Sequence, residues 1–397
     1  MKFKFSIGPA AFVTAAFIGP GTLTMCIMAG VNHGFSLLWV MLVSIAITVF
    51  IQNTAARIAW STRKGLAQSS LDQVHSPSLK LSLAILLIAA IFVGNAAYEA
   101  GNLSGALIGL EGLFEADTFI LNDIDLLPLV LCIVVAFLLL RGSFQWLKNI
   151  LVGIVVLMSF SFMITALMTQ PDIGELFRGL FTPRFRADEV FTIVGLLGTT
   201  VVPYNLFLHA AMVAESPNLS IDELRRDTLL AVGLGGVVSL CIIIAAASLQ
   251  GNVLSNAADL GEALAPLYGS AAPRFMQFGF FAAGLTSALT APMAAGFVVA
   301  ECFQWSPQSW GYRLTALTVL LVGVGFTLVG AVPLEIIRFA QIANGILLPI
   351  IGLLLLFTVN NSRLMLGAKP STFYNAIFIF IELFFIFLGG KSLGLLF

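Results

Sequence analysis

Apolar runs of about 20 residues recur along the whole chain and are separated by short polar connections. A helix of that length crosses the hydrocarbon core of a bilayer. The pattern predicts eleven spans, at 8–31, 35–59, 80–110, 126–140, 149–168, 190–214, 229–249, 271–302, 314–330, 334–358 and 372–390. We therefore expect an all-α polytopic membrane protein in which residues 1–397 form one transmembrane domain.

Two of these spans are interrupted by proline. The first contains Gly19, Pro20 and Gly21, and the sixth contains Pro203 within the segment TTVVPYN. Proline removes a backbone donor and clashes with the preceding turn, so each span should divide into two half-helices. Unwound backbone persists at membrane depth only where it lines a cavity. We predict that the two breaks face each other at the midplane and form a substrate site.

The breaks also divide the chain into two similar units. Each break stands in the first span of a five-span unit, 8–168 and then 190–358, and the span at 372–390 is left over. An odd number of spans inserts the second unit upside down relative to the first. This arrangement predicts a LeuT-like 5+5 inverted repeat with helices 1 and 6 broken. Chance placement of two tolerated prolines is the alternative.

Composition narrows the class of protein further. The chain is 59% hydrophobic and 10% charged with a mean hydropathy of +1.02, which leaves too little charge for a soluble surface of this size. The net charge of −1 and the lack of a basic tail argue against a nucleic-acid partner. No nucleophile motif, paired carboxylates or cofactor fingerprint indicates an enzyme. We expect no cofactor, and partners limited to the lipid bilayer, a small inorganic ion and a coupling proton or sodium ion.

The distribution of Lys and Arg predicts an orientation. With a cytoplasmic N-terminus, thirteen of these residues fall on the inside and five on the outside. Eleven spans then put the C-terminus outside, and we expect the bacterial inner membrane.

The four cysteines, Cys26, Cys132, Cys241 and Cys302, lie in apolar runs without paired spacing, so neither a zinc site nor a disulfide framework is indicated.

Several segments resemble one family across nearly the whole chain. They are GPGT at 19–22, GFSLLWV at 34–40, TTVVPYN at 199–205, LHAA at 208–211 and RFAQ at 338–341. The sequence resembles the NRAMP family of proton-coupled divalent-metal transporters. The resemblance implies a substrate site at Gly19, Thr22, Thr199, Tyr204, Asn205 and Gln341, and coupling residues at His209 and Arg313. We add Gly21 and Thr24 to the site because they stand at the same helix end. Glu99 is costly inside a span, so we expect it to be a coupling residue, with a structural hydrogen bond to a neighbouring helix as the alternative.

This chain departs from the family at the residues that hold metal. The family's metal-binding aspartate corresponds to Gly19, its asparagine to Thr22 and its methionine to Val202. The family's acidic residues in span 3 fall on Tyr98 and Gly101, with Glu99 beside them. A dication at the midplane would therefore lack the carboxylate that the family supplies, and an uncompensated charge there is costly.

An anion would suit the first break better. A half-helix that starts near Gly21 offers N–H groups and a positive dipole end, and Thr22 and Thr24 add hydroxyl donors. We expect a secondary transporter of a small oxyanion such as bicarbonate. The alternatives are a proton-coupled transporter of Mg²⁺, Mn²⁺ or Fe²⁺ that uses carbonyl, amide and water ligands, and a non-transporting sensor with the same fold.

Two further polar residues, His209 and Glu382, lie inside predicted spans. His209 either shuttles protons, because histidine can change charge near neutral pH, or packs as a structural residue. Glu382 lies in the last span, outside both repeats, and we expect it to be peripheral.

Overall fold

The computed structural model describes residues 18–111, 120–121, 124–141, 145–216, 218–251, 257–306, 309–328, 332–365 and 369–396. The long helices are α1 Pro20–His33, α2 Leu38–Thr62, α4 Pro77–Glu111, α5 Leu127–Arg141, α6 Gln145–Met168, α8 Val190–Thr200, α9 Pro203–Ala214, α10 Ile221–Ala247, α13 Ala272–Phe303, α14 Trp310–Leu328, α15 Pro333–Val359 and α17 Thr372–Leu396. The shorter helices are α3 Leu66–Asp72, α7 Ile173–Phe181, α11 Ala257–Gly261, α12 Ala265–Tyr268 and α16 Ser362–Met365. Three 3₁₀ turns span Ala187–Glu189, Glu262–Leu264 and Gly269–Ala271.

Helices account for the predicted membrane spans. Each of the eleven predicted spans contains a described helix, with ends that differ from the prediction by several residues. Within the described ranges, nine helical segments are long and apolar enough to cross a membrane, and Leu127–Arg141 is a shorter apolar helix. The first half of the first span, residues 8–17, lies outside the described residues. Two two-residue strands, β1 Ile120–Leu121 and β2 Ile124–Asp125, pair antiparallel in the connection before α5.

The helix α4 packs against several other long helices. It packs against α13, α14 and α15, and it also contacts α1. Small residues let its backbone approach α13: a Cβ added at Gly109 would lie 2.5 Å from the backbone oxygen of Gln277, and one at Gly284 would lie 2.4 Å from the backbone nitrogen of Ala106. Close backbone contact of this kind is how membrane helices associate without a hydrophobic driving force.

The helices that flank the two breaks share α15 as a packing partner. The helix α1 packs against α8 and α10, and both α1 and α8 pack against α15. The tightest contact joins α8 to α15, where a Cβ at Gly198 would lie 1.9 Å from the carbonyl oxygen of Gln341. A Cβ at Gly345 would lie 2.7 Å from the carbonyl oxygen of Val194. These two glycines bring α15 against the second break and so position Gln341.

Candidate substrate site between the two helix breaks

The two breaks are in direct contact. The Oγ1 atoms of Thr22 and Thr199 lie 2.8 Å apart and share a hydrogen bond across 177 residues of sequence. Both side chains are fully buried. The breaks therefore face each other, as the proline pattern predicts. That the space between them binds a substrate stays a prediction.

The first break presents the start of a helix. Gly19 is extended (φ −94°, ψ 178°), Pro20 is the first helical residue, and the Leu23 N–H donates to the Gly19 carbonyl at 3.1 Å. No side chain caps this end, and its first turn contains no acidic residue. The positive end of the α1 dipole is thus uncompensated by any side-chain carboxylate of its own first turn.

The second break presents both a helix end and a helix start. The helix α8 ends at Thr200, Val201 (φ −90°, ψ 73°) and Val202 (φ −84°, ψ 118°) leave helical geometry, and α9 begins at Pro203. Because Pro203 has no N–H, the carbonyl of Thr199 has no helical donor four residues later. The backbone at this break can therefore offer carbonyl oxygen to a ligand.

Polar side chains without partners surround the breaks. Each of them is at most 2% exposed. The buried atoms without a hydrogen-bond partner are Thr24 Oγ1, Asn205 Oδ1 and Nδ2, and Gln341 Oε1. Buried polar atoms are nearly always paired in proteins, so a cluster of unpaired ones is typical of a ligand site. The site that we infer from the sequence is assembled from α1, α8, α9 and α15.

Gln341 lies against the first break. A Cβ added at Gly21 would lie 2.2 Å from the Gln341 Nε2 atom, so this amide occupies the space that any side chain at residue 21 would need. Its Oε1 atom has no partner. Gln341 is therefore held at the start of α1 with one oxygen available to a bound ion.

The coupling candidate Glu99 faces α14, where a Cβ added at Gly323 would lie 2.7 Å from its Cγ atom. Glu99 is fully buried in α4; one of its oxygens accepts a hydrogen bond from Asn102 Nδ2 at 3.4 Å, and the other has no partner. The preceding residue, Tyr98, contacts Tyr204 edge to face with ring centroids 5.2 Å apart. The α4 segment that carries Glu99 thus abuts the start of α9.

The other two coupling candidates differ from each other. His209 lies one helical turn after Asn205 in α9, is fully buried, and has no partner at either ring nitrogen. Arg313 lies at the start of α14, where it is partly exposed and its guanidinium lies 5.7 Å from the centroid of the Trp310 ring. Arg313 is therefore not one of the buried side chains at the breaks.

Two residues have surroundings that the sequence did not indicate. Asn344 is 2% exposed and its Nδ2 atom has no partner. It lies three residues after Gln341 on the same helix face, and this spacing is the sequence signal for its position. Glu382 is 3% exposed and its carboxylate fills the space beside Gly352 of α15. The expectation that Glu382 is peripheral is wrong, because the missing side chain at Gly352 lets α17 carry its carboxylate into the bundle.

Within the described ranges, no three side chains of the types His, Cys, Asp and Glu come together as a metal-binding group.

Comparison with known proteins decides the family. A family profile described as "Natural resistance-associated macrophage protein-like" matches residues 10–394. The chain belongs to the NRAMP family. It is similar to the divalent metal cation transporter MntH of Yersinia pestis (strain Pestoides F), with 29% identity over 377 residues that cover 90% of this chain and 88% of the relative. The MntH protein of Agrobacterium fabrum is 27% identical over 332 residues, which cover 79% of this chain and 70% of that protein.

Solved structures agree on the fold. A mutant of the Eremococcus coleocola manganese transporter superposes with a TM-score of 0.77 at 18% identity, covering 99% of this chain and 88% of that one. MhsT in complex with L-phenylalanine superposes with a TM-score of 0.64 at 15% identity, covering 98% of this chain and 99% of that one. The prediction of a LeuT-like helical membrane protein is confirmed, and the chain is an NRAMP-type transporter.

Proposed function

We propose that this NRAMP protein is a proton-coupled secondary transporter of a divalent metal cation in the bacterial inner membrane, with Mn²⁺ and Mg²⁺ as its first candidate substrates. The family membership and the MntH relatives support a metal substrate better than the oxyanion that the missing aspartate suggests. The observation that carries the proposal is the group of buried oxygens without partners where the two breaks meet.

The ligands that we assign are neutral. Asn205 Oδ1, Gln341 Oε1 and the Thr199 carbonyl are hard oxygen donors, and hard divalent cations prefer such donors to sulfur. Mg²⁺ and Mn²⁺ can keep part of their water shell, so fewer protein ligands are needed. Val202 provides no thioether at the second break. We therefore expect weaker discrimination in favour of soft metals such as Cd²⁺ than a methionine would give.

A dication also needs negative charge nearby. Glu99 is buried beside Tyr98, which contacts Tyr204 at the second break, and one of its oxygens has no partner. We assign Glu99 as the carboxylate that releases its proton toward the cytoplasm when the metal enters from outside, and that takes up a new proton from outside after the metal has left. His209, one turn beyond Asn205, would extend the proton path along α9.

Uptake by the purified protein in liposomes tests this proposal. We expect Mn²⁺ or Mg²⁺ uptake that increases with an inward proton gradient. Asn205→Ala should weaken apparent metal affinity about tenfold or more, because a polar contact to a charged group is worth about 1.5–3 kcal/mol. Asn375→Ala removes an amide that bonds Asn360, so it is the matched control and should keep metal affinity. Lack of uptake of either metal would refute the proposal.

The oxyanion is the second candidate, and one observation favours it. The start of α1 has Gly19 in place of a carboxylate, with no side-chain cap and no acidic residue in the first turn. Gly19→Asp distinguishes the two functions because it adds a negative charge to that helix end. Metal transport should persist or strengthen in this variant, whereas bicarbonate transport should be lost. The comparisons provide no support for the sensor alternative.

A further inference from the structure

We propose that a cavity on the membrane-facing side of α2, α10 and the start of α17 binds the phosphate headgroup of an anionic phospholipid. The cavity has a volume of about 470 Å³. None of its lining residues belongs to α1, α8 or α9, which carry the two breaks. It is therefore separate from the candidate substrate site.

The lining residues of α2 change from apolar to polar along the helix. Ala46, Val49 and Phe50 are followed by Asn53 and Arg57, at the spacing of three or four residues that places them on one helix face. Eleven residues of helix cover about 16 Å, which is close to half of a hydrocarbon core about 30 Å thick. The groove thus runs along one leaflet, with an apolar wall for an acyl chain and a polar end for a headgroup.

The other two helices, α10 and α17, also place polar lining residues at the end of the cavity where Arg57 lies. Arg225 lies in the first turns of α10 and Leu229 lies one turn deeper, while Tyr374 is at the start of α17. All three helices therefore bring their polar residues to one membrane interface. The bias of Lys and Arg predicts that this interface is the cytoplasmic one, where anionic lipid attracts basic side chains.

The arginines are arranged to receive an anion. The Arg57 guanidinium lies 5.6 Å from the centroid of the Tyr374 ring, and that ring stacks on Phe50 with centroids 4.3 Å apart. The Tyr374 hydroxyl shares a hydrogen bond with Thr54 Oγ1, which fixes the ring. Arg57 is thus held in place by an aromatic ring, and such packing leaves guanidinium donors for another ligand.

The charge of the cavity favours a phosphate. Its lining contains two guanidinium groups and no carboxylate. Arg225 also bonds Asp222 at 3.2 Å, but both side chains are at least half exposed, and exposed pairs of this kind bind weakly. Guanidinium groups bind phosphate oxygens in a bidentate geometry. An exposed apolar wall next to two such groups matches a phospholipid better than a soluble anion.

A lipid titration followed by thermal unfolding in detergent tests the proposal. Phosphatidylglycerol should raise the melting temperature of the full chain, whereas phosphatidylcholine and inorganic phosphate should not. The apparent affinity for phosphatidylglycerol should fall about fivefold in Arg57→Gln and in Arg225→Gln. Arg226→Gln is the matched control, because Arg226 is exposed, adjacent and outside the lining, so its affinity should not change.

Three results would overturn the proposal. Equal stabilisation by phosphatidylcholine would show that the charge is not recognised, and equal stabilisation by inorganic phosphate would indicate a site for free anions. An equal loss in Arg226→Gln would indicate diffuse surface charge. Arg225 is half exposed, so Arg225→Gln should fold and can decide the matter alone if Arg57→Gln does not.

Discussion

The contact between α8 and α15 at Gly198 should contribute to both stability and transport affinity. A Cβ at residue 198 would lie 1.9 Å from the backbone oxygen of Gln341, whereas ordinary contact begins near 3.4 Å. Gly198→Ala must therefore separate the two backbones by about 1.5 Å at this point, because no flexible side chain can move out of the way. Added volume in packed interiors typically costs about 1–3 kcal/mol.

The same displacement should affect the ion site. Gln341 would move together with its backbone, and a shift of more than 1 Å takes its Oε1 atom out of contact distance with a bound ion. Loss of one such contact to a charged ion, worth about 1.5–3 kcal/mol, weakens apparent affinity about tenfold or more. Gly198→Ala should therefore lower both the thermal stability and the transport affinity. Gly345→Ala, which meets the carbonyl of Val194 at the same interface, should have the same effect.

Proteoliposome uptake and thermal unfolding together check this reasoning. Gly233→Ala and Gly153→Ala are the matched controls, because a Cβ at either helical position meets nothing within 4 Å. Both controls should keep wild-type transport and stability. If Gly198→Ala had the stability and affinity of the controls, the close approach of α8 to α15 would not position Gln341.

Further substitutions test other parts of the structure. Gly21→Ala meets only the flexible amide of Gln341, so uptake assays should show weaker affinity while unfolding shows nearly unchanged stability. Glu301→Ala removes the carboxylate that accepts from the N–H groups of Ala67 and Gln68, so hydrogen exchange of Leu66–Asp72 should become faster; unchanged exchange would contradict this role. Glu382→Met removes a buried carboxylate without partners and should raise the melting temperature by a few degrees with transport intact. Loss of proton dependence in that variant would instead mark Glu382 as a coupling residue.

The sequence predicts the membrane architecture well because spans and breaks have local signals. The length of apolar runs gives the helices, and Pro20 and Pro203 give the breaks, since proline acts on its own backbone. The contact between Thr22 and Thr199 follows from the inverted repeat. Apart from this contact, apolar runs and prolines report on single segments and do not reveal which other segments touch.

Contacts between distant segments could not be read in the same way. Glycine is common in membrane helices, so nothing in the sequence distinguishes Gly198, which meets a backbone, from Gly233, which meets nothing. The burial of Glu382 depends on Gly352 of another helix. The substrate is not predicted by such local signals: Gly19 in place of a carboxylate favours an anion, whereas the relatives support a metal.

Both prolines occupy the first position of a helix, at the starts of α1 and α9. An N–H at that position has no intrahelical acceptor, so proline there removes no hydrogen bond from the helix it begins. The interruption of each span is thus encoded separately from the side chains that we assign to the ion site. A lineage with this scaffold can exchange residues such as Gly19 or Val202 and acquire a new selectivity while it inherits the same fold.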